Sequence, residues 1–388
     1  MIRHVIIVAV FVGLLGCGSN YSRMKSEREI APFDAIMQRL DTMSKTTVLI
    51  PTLRHGEPTV RLALHEIGNP DAAGPILVFI HGAFSDASAW RYVAGDLGDG
   101  HTVWLLDLPG CGASDKPDPA RLAVDGYAPA ALADRAYQAL TARLDNEPPE
   151  RRIVLVGHSL GSAVAMRMLS DPGLRRTYAD TRERVEGLVL VTPLDVAIEQ
   201  PIPILEYVAH LGGANIGLAN LAGVLRERLA EGVMQSYSNP AQAPREEVDR
   251  SIPILAAGPS RRATQAMILQ ATPRRPGGAR PDWPEVDRLV TEYANIDVPV
   301  RITCGAHDET FPASMSYKLA AQLRFADLHV IPDCMHSPHL ERPLACAALI
   351  DRFVSDVKTW HARMAGCDGP CKCARAHARV NTNEGAAP

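Results

Sequence analysis

The sequence predicts an α/β protein with a mostly parallel β-sheet and helices on both faces. Six largely apolar runs predict the strands of this sheet. The runs are residues 75–82, 101–110, 151–159, 185–193, 298–308 and 326–336. A continuous apolar run is typical of a strand that is buried on both faces, as in parallel sheets. Helix-period segments such as residues 129–144 lie between the runs, which indicates alternating strands and helices.

The order of these segments predicts a core that is interrupted once. Residues 46–53 and 59–67 alternate like a strand pair and open the core, which we place at residues 45–194 and 297–363. Residues 195–296 break the strand pattern with apolar segments of helical spacing. They are typical of an inserted lid over a binding site, although plain packing against the core would give a similar pattern.

The N-terminal residues 1–17 have the form of an export signal. One arginine precedes an apolar run from Val5 to Leu15, which is short for a membrane span. The following Gly16-Cys17 completes a segment that resembles the lipobox of bacterial lipoproteins, so Cys17 is the expected lipid attachment site. A secretory signal or an uncleaved anchor are the alternatives, and all three place the protein outside the cytoplasm. We expect a lipid-anchored protein of the cell envelope.

The two flanks of the core are predicted to be loose. Residues 18–44 are polar with a weak amphipathic pattern, and we expect a tether with one helix. Residues 364–388 are a Cys-containing tail with few large apolar side chains. The net charge of −4 gives no basic surface, which excludes nucleic acid as an expected partner.

Residues 157–161 read Gly-His-Ser-Leu-Gly between a buried run and a helix-period segment. This G-x-S-x-G pattern in a strand–turn–helix context is typical of a nucleophile elbow. Ser159 would then project from the tight turn at a helix N-terminus, whose partial positive charge favours a developing anion.

A serine nucleophile needs a base, and the base needs an orienting acid. In folds with this elbow, the acid and then the histidine follow the serine along the chain. Asp308 follows the fifth buried run and His336 follows the sixth, so both are expected at the same sheet edge as Ser159. We predict Ser159, Asp308 and His336 as catalytic residues.

From about residue 46 to residue 360 the chain resembles α/β-hydrolases of the lidded esterase, lipase and C–C hydrolase type. The matching segments are residues 80–84, 107–117, 157–161, 305–312 and 336–343. The resemblance implies an oxyanion hole from the backbone N–H groups of Ala83 and Leu160. Met335 departs from the glycine that usually precedes the histidine, and a serine nucleophile argues against the epoxide-hydrolase and dehalogenase branches.

Other polar residues near these motifs are expected to have roles outside the triad or to be alternatives to its members. His81 is expected to support the oxyanion loop rather than act as a base, and His158 to pack beside the elbow. Asp107 is an alternative orienter of His336. Asp86 and Glu309 are expected to be loop residues.

The sequence predicts neither a cofactor nor a metal ion. Residues 110–114 begin like a dinucleotide loop, but Asp115 stands where the last glycine is required. Cys334, His336 and His339 could be imagined as metal ligands, yet they lie in one short loop without a partner motif.

Export would expose the cysteines to an oxidising compartment. Cys304 ends the strand before Asp308, and Cys334 lies two residues before His336. The two strands are neighbours in the sheet of the family that the chain resembles, so a disulfide and two buried thiols are both open. The tail cysteines Cys367, Cys371 and Cys373 are the other possible source of a bridge, with Cys346 as a partner.

Together these features predict a serine hydrolase that cleaves a small or medium-sized carboxylic ester. Hydrolysis of a C–C bond and acyl transfer by the same triad are the enzymatic alternatives. A non-catalytic binding module on the same fold is the alternative from another class, and it would be expected to have lost part of the triad.

Overall fold

We analysed a computed structural model of the 388-residue chain. The structure describes residues 20–197, 212–275 and 281–365. Eight strands of this described part form one sheet in the order β1-β2-β4-β3-β5-β6-β7-β8. The strands are β1 Lys45–Thr52, β2 Val60–Gly68, β3 Ile76–Ile80, β4 Thr102–Leu106, β5 Ile153–His158, β6 Val185–Val191, β7 Val300–Gly305 and β8 Ala326–Ile331.

The sheet is antiparallel at one edge and parallel elsewhere. β2 pairs antiparallel with both β1 and β4, and every pairing from β4 through β3 to β8 is parallel. All residues of β3, β4, β5 and β7 are buried, because helices cover both faces. The predicted α/β fold with a mostly parallel sheet is therefore confirmed.

The helices of the first half of the chain precede β1 or lie between β3 and β6 in the sequence. They are α1 Asn20–Arg23, α2 Phe33–Thr42, α3 Arg91–Leu97, α4 Pro129–Leu144, α5 Leu160–Ser170, α6 Pro172–Thr177 and α7 Ala179–Glu183. Alternate residues of each strand serve opposite faces, as a strand's period of two requires. In β3, Val78 packs into the core shared with α4 and α5, whereas Phe79 packs toward α3 and the C-terminal helix.

Within the described residues, five α-helices are inserted between β6 and β7, where the sequence predicts a lid. They are α8 Gly213–Leu221, α9 Val224–Gln235, α10 Arg245–Ala256, α11 Gly258–Gln270 and α12 Trp283–Thr291. The second part of the core then continues with α13 Ala313–Gln322, α14 Pro338–Glu341 and α15 Pro343–Ala365.

The segment expected to be a loose tether is instead packed on the body of the protein. The apolar stripe of α2 is buried, with Phe33 and Ile36 each 1% exposed. Phe33 stacks on Tyr92 of α3 with ring centroids 4.2 Å apart. Gly95 of α3 makes room for Ile36, because an added Cβ would lie 2.8 Å from a side-chain methyl of Ile36. The weak amphipathic pattern of this segment thus marks a docked helix.

Glu27, in the same N-terminal segment, joins the core to the inserted helices. Its carboxylate accepts hydrogen bonds from Arg91 at 2.9 Å and from the Tyr92 hydroxyl at 2.8 Å, both on the core helix α3. Arg250 of the inserted helix α10 lies 3.5 Å from the same carboxylate. Burial alone would raise the pKa of Glu27, but the two arginines hold it below its ordinary value. The N-terminal segment is therefore part of the boundary between the core and the inserted helices.

The cysteines of the described residues are free thiols. Cys304 and Cys334 are both buried and unbonded, so the thiol alternative holds and the possible disulfide between them is absent. Burial raises the pKa of Cys304 to about 11, which makes it a poor nucleophile. The predicted signal peptide, Cys17 and the tail cysteines lie outside the described residues. Within the described ranges, no helix is both long and apolar enough to traverse a bilayer.

Candidate active site

Ser159 occupies a strained turn between β5 and α5. Its φ of 51° and ψ of −117° lie in a region that non-glycine residues rarely adopt. Its N–H donates to the Val191 carbonyl at 3.0 Å, which ties the turn to the end of β6. The side chain is only partly buried, whereas both neighbours in sequence are buried. The strain is thus held by the surrounding sheet, as at a nucleophile elbow.

The two glycines of the elbow permit this turn. A Cβ on Gly157 would lie 2.5 Å from the Gly161 carbonyl oxygen. A Cβ on Gly161 would overlap the Ile80 carbonyl at the end of β3. Both contacts are shorter than any real Cβ contact, so side chains at these positions would push the elbow out of the sheet edge.

Asp308 and His336 form a hydrogen-bonded pair at the same edge. Nδ1 of His336 lies 2.9 Å from Oδ2 of Asp308, whose side chain is fully buried. The other carboxylate oxygen accepts the N–H groups of Thr310 and Phe311 at 2.8 and 2.9 Å. The carboxylate is therefore fixed in one orientation, and it leaves Nε2 of His336 for a reacting group.

A close backbone approach holds the loops of this pair together. Ala306 and His307 donate to the carbonyls of Ile331 and Cys334, each at 2.9 Å. Glu341 accepts the N–H of Met335 at 2.7 Å, which fixes the backbone directly before the histidine. The methionine that departs from the family pattern is thus accommodated without displacing His336 from Asp308.

The loop after β3 lies against the elbow. A Cβ on Gly82 would lie 3.1 Å from Cβ of Ser159. Ala83 follows in the loop, and Leu160 is the first residue of α5, where an N–H has no partner within the helix. The structure therefore brings the loop that contains Ala83 and the helix start at Leu160 to the same place as Ser159.

His81 is engaged by the backbone on both ring nitrogens. Its Nε2 accepts the Leu108 N–H at 3.1 Å, and its Nδ1 donates to the Gly82 carbonyl at 2.7 Å. This arrangement supports the loop and leaves neither nitrogen for substrate.

Asp107 is held away from His336. Its carboxylate accepts the N–H groups of Ala87 and Ala113 at 2.7 Å and pairs with Nε2 of His65 at 2.9 Å. Burial alone would raise the pKa of this carboxyl, but these donors, His65 foremost, hold it below its ordinary value. Asp107 therefore has a complete set of partners without His336.

Asp86 and Glu309 lie in loops. Asp86 accepts the Ser88 N–H at 2.9 Å and so caps a 3-10 turn. Glu309 is exposed beside the buried Asp308.

Two buried histidines line the side of the site next to His336. The ring centroids of His158 and His339 are 4.2 Å apart, and the Trp90 ring lies tilted against His339 with centroids 4.6 Å apart. Burial lowers the pKa of His339 to about 3, with smaller contributions from His336 and Arg91. Burial likewise lowers the pKa of His158. Both rings are neutral at neutral pH.

No metal centre is found in the described part of the chain, where no three His, Cys, Asp or Glu side chains are grouped to hold an ion. Of the three imagined metal ligands, His339 packs among aromatic rings and Cys334 is buried with its thiol against the Met335 carbonyl.

Comparison with known proteins identifies the family. A family model described as the alpha/beta hydrolase family matches residues 77–349. The chain belongs to the α/β-hydrolase family. This α/β-hydrolase is 28% identical over 293 residues to a 2-succinyl-6-hydroxy-2,4-cyclohexadiene-1-carboxylate synthase of Klebsiella pneumoniae, and the match covers 74% of this chain and 97% of the relative.

Solved structures share the α/β-hydrolase fold. A thermophilic esterase from Thermogutta terrifontis matches with a TM-score of 0.55 and 22% identity, covering 80% of this chain and 99% of that one. The 2-hydroxy-6-oxo-6-phenylhexa-2,4-dienoate hydrolase of Rhodococcus sp. strain RHA1 matches with a TM-score of 0.60 and 19% identity, covering 80% and 99%. At these identities the likeness establishes the fold alone.

Two contacts at the site have no counterpart in the sequence analysis. Glu341 lies within the matching segment 336–343, but the sequence pattern does not predict that its carboxylate accepts the Met335 N–H. Thr192, directly after β6, donates its hydroxyl to the His336 carbonyl at 2.8 Å. A polar residue at the end of a buried apolar strand is the one signal that could have marked Thr192.

Proposed function

We propose that this α/β-hydrolase is a serine hydrolase that cleaves a carboxylic ester of small or medium size. The observation that carries the proposal is the Asp308–His336 pair at the sheet edge that also holds the strained Ser159 elbow. A nucleophile, a base and an orienter that converge in this way serve acyl transfer on unrelated folds.

The chemistry follows from these positions. Ser159 Oγ attacks the ester carbonyl while its proton passes to Nε2 of His336, and Asp308 stabilises the imidazolium that forms. The backbone N–H groups of Ala83 and Leu160 donate to the oxyanion of the tetrahedral intermediate. The imidazolium then protonates the leaving alcohol. Water, deprotonated by His336, attacks the acyl-enzyme and releases the carboxylic acid.

The decisive experiment combines covalent labelling with an ester panel. Wild-type protein should react with a fluorophosphonate at Ser159 and hydrolyse nitrophenyl esters of graded acyl length. Ser159→Ala should lose labelling and at least about a thousandfold in kcat while remaining folded, because triad members act as a unit. The matched control is Ser236→Ala, at an exposed serine whose hydroxyl donates to the nearby Val233 carbonyl at 2.8 Å. Undiminished labelling of Ser159→Ala would refute the assignment.

Hydrolysis of a C–C bond by the same residues is the second candidate. It comes from the family resemblance that the motifs carry, and the dienoate hydrolase of the same fold is named for a substrate that contains no ester. A wild-type enzyme that turns over a vinylogous diketone faster than every ester in the panel would favour this candidate. Transfer of the acyl group to an added alcohol instead of water would favour an acyltransferase.

We also propose that the protein is exported and anchored to a bacterial membrane by lipid on Cys17. The support is the lipobox-like sequence before Cys17, which follows the apolar run of residues 5–15. The measurement is the intact mass of the protein from the membrane fraction. A mature chain that starts at Cys17 with added acyl mass is expected, and retention of residues 1–16 would refute the anchor.

A further inference from the structure

His336 is held by its main chain as well as by its side chain. Its carbonyl oxygen accepts the hydroxyl of Thr192 at 2.8 Å and lies 3.1 Å from Nε2 of His158. Thr192 directly follows β6, and His158 is the last residue of β5. Two neighbouring strand ends therefore bind one carbonyl, while the loop after β7 binds the same residue's ring through Asp308.

Thr192 adopts a conformation that its residue type avoids. Its φ is 42°, in the left-handed region, where a β-branched residue is a genuine outlier. The residue is completely buried, and its N–H donates to the Thr303 carbonyl of β7 at 2.7 Å. Strained residues of this kind persist only where the surroundings hold them, and they cluster at functional sites. In this strained conformation the Thr192 hydroxyl donates to the carbonyl of His336.

His158 can act only as the donor in its contact with that carbonyl. A carbonyl oxygen accepts, so Nε2 carries the proton and Nδ1 is the bare nitrogen of a neutral ring. Nδ1 of His158 is buried and has no hydrogen-bond partner among the described residues. The His158 ring therefore makes its hydrogen bond to the His336 carbonyl, while Nδ1 of His158 has no hydrogen-bond partner among the described residues.

We propose that Thr192 is a positioning residue that, together with His158, fixes the main chain of His336 beside the Ser159 elbow. The proposal rests on the proposed function, because it assigns Thr192 a task in presenting the base. Asp308 fixes one ring nitrogen of His336, but a ring can pivot about that single bond when its backbone moves. The two donors to the carbonyl remove this freedom, and a displacement of about 1 Å between reacting groups can cost about a hundredfold in rate.

The experiment compares three variants by fluorophosphonate labelling rate, ester kinetics and thermal melting. Thr192→Val keeps the shape and removes the hydroxyl, and Thr192→Ser keeps the hydroxyl. Thr303→Val is the matched control on the neighbouring strand, because Thr303 is equally buried and its hydroxyl has no hydrogen-bond partner in the described part of the chain.

Thr192→Val should lower kcat and the labelling rate roughly tenfold with little change in KM, the size expected for one neutral hydrogen bond. Thr192→Ser should restore most of the loss, and Thr303→Val should behave as wild type. Equal losses in the Val and Ser variants, a change in KM alone, or wild-type labelling of Thr192→Val would each overturn the proposal. Wild-type protein that does not label at all would instead refute the proposed function.

Discussion

The backbone at Gly305 is packed directly against the carbonyl of Met335. A Cβ at Gly305 would overlap the carbonyl oxygens of Met335 and Cys334, well inside the 3.0 Å that real Cβ atoms keep from such neighbours. Because Gly305 ends β7 and Met335 precedes His336, this approach sets how closely the acid and histidine loops lie.

Gly305→Ala should therefore separate the two loops. We expect a loss of roughly 2 kcal/mol in the free energy of unfolding, the usual cost of overpacking, together with a large loss of kcat. Urea unfolding and ester kinetics measure the two effects. Gly74→Ala is the matched control, since nothing lies within 4 Å of its added Cβ. Wild-type kinetics for Gly305→Ala would show that the close approach is not required for activity.

Replacing the acid should impair catalysis without disturbing the fold. In Asp308→Asn the amide cannot stabilise the imidazolium and favours the wrong tautomer of His336, so kcat should fall by roughly 10³ to 10⁴. Glu309→Gln, which removes the exposed neighbouring carboxylate, should leave kcat unchanged. The comparison is made with a nitrophenyl ester under saturating conditions. A harmless Asp308→Asn together with an inactive Asp107→Asn would move the role of acid to Asp107.

The N-terminal segment should contribute to stability through Glu27. Glu27→Gln weakens a buried ion pair, while Arg91 keeps a second carboxylate partner in Glu247. We therefore expect a loss of about 2 to 3 kcal/mol in the free energy of unfolding, somewhat less than the loss of an only partner. Asp41→Asn, which breaks the exposed pair with Arg28, should have no measurable effect. Equal urea midpoints for Glu27→Gln and wild type would contradict a structural role for this segment.

The pH dependence of this contribution follows from the pKa of Glu27. Because that pKa lies below its ordinary value of 4.5 in the folded protein, the stabilisation is present above this value. It is lost as the pH falls through the folded pKa. The difference in stability between wild type and Glu27→Gln should accordingly shrink in acid.

His339 should make the protein less stable as the pH falls below about 6.5. Its pKa is about 3 in the folded protein against an ordinary 6.5, so only the unfolded chain binds the proton between these values. The free energy of unfolding should then fall by about 1.4 kcal/mol per pH unit from this residue. His339→Phe keeps an aromatic ring beside Trp90 and should flatten the curve between about pH 6.5 and pH 5. Parallel curves for variant and wild type, from urea unfolding at each pH, would refute a neutral buried His339.

The sequence by itself determined the sheet and the positions of the candidate site along it. Continuous apolar runs mark β3 to β7 because a strand buried on both faces has no polar side to show. The G-x-S-x-G turn marks the elbow because only small residues fit where Gly157 and Gly161 lie. Both signals depend on neighbouring residues in the chain, so they can be recognised in a single sequence. They also place Asp308 and His336 at strand ends, on the edge that holds Ser159.

Only the tertiary structure decided which groups meet. Asp107 and Asp308 both follow buried strands. In the folded protein Asp308 is hydrogen-bonded to His336, whereas Asp107 is hydrogen-bonded to His65. The contacts of Glu27 with Arg91 and of Thr192 with His336 join residues 64 and 144 positions apart. No periodicity encodes such pairs, because each depends on how separate elements pack. A single polar residue looks the same in a sequence whether it meets water or a buried partner.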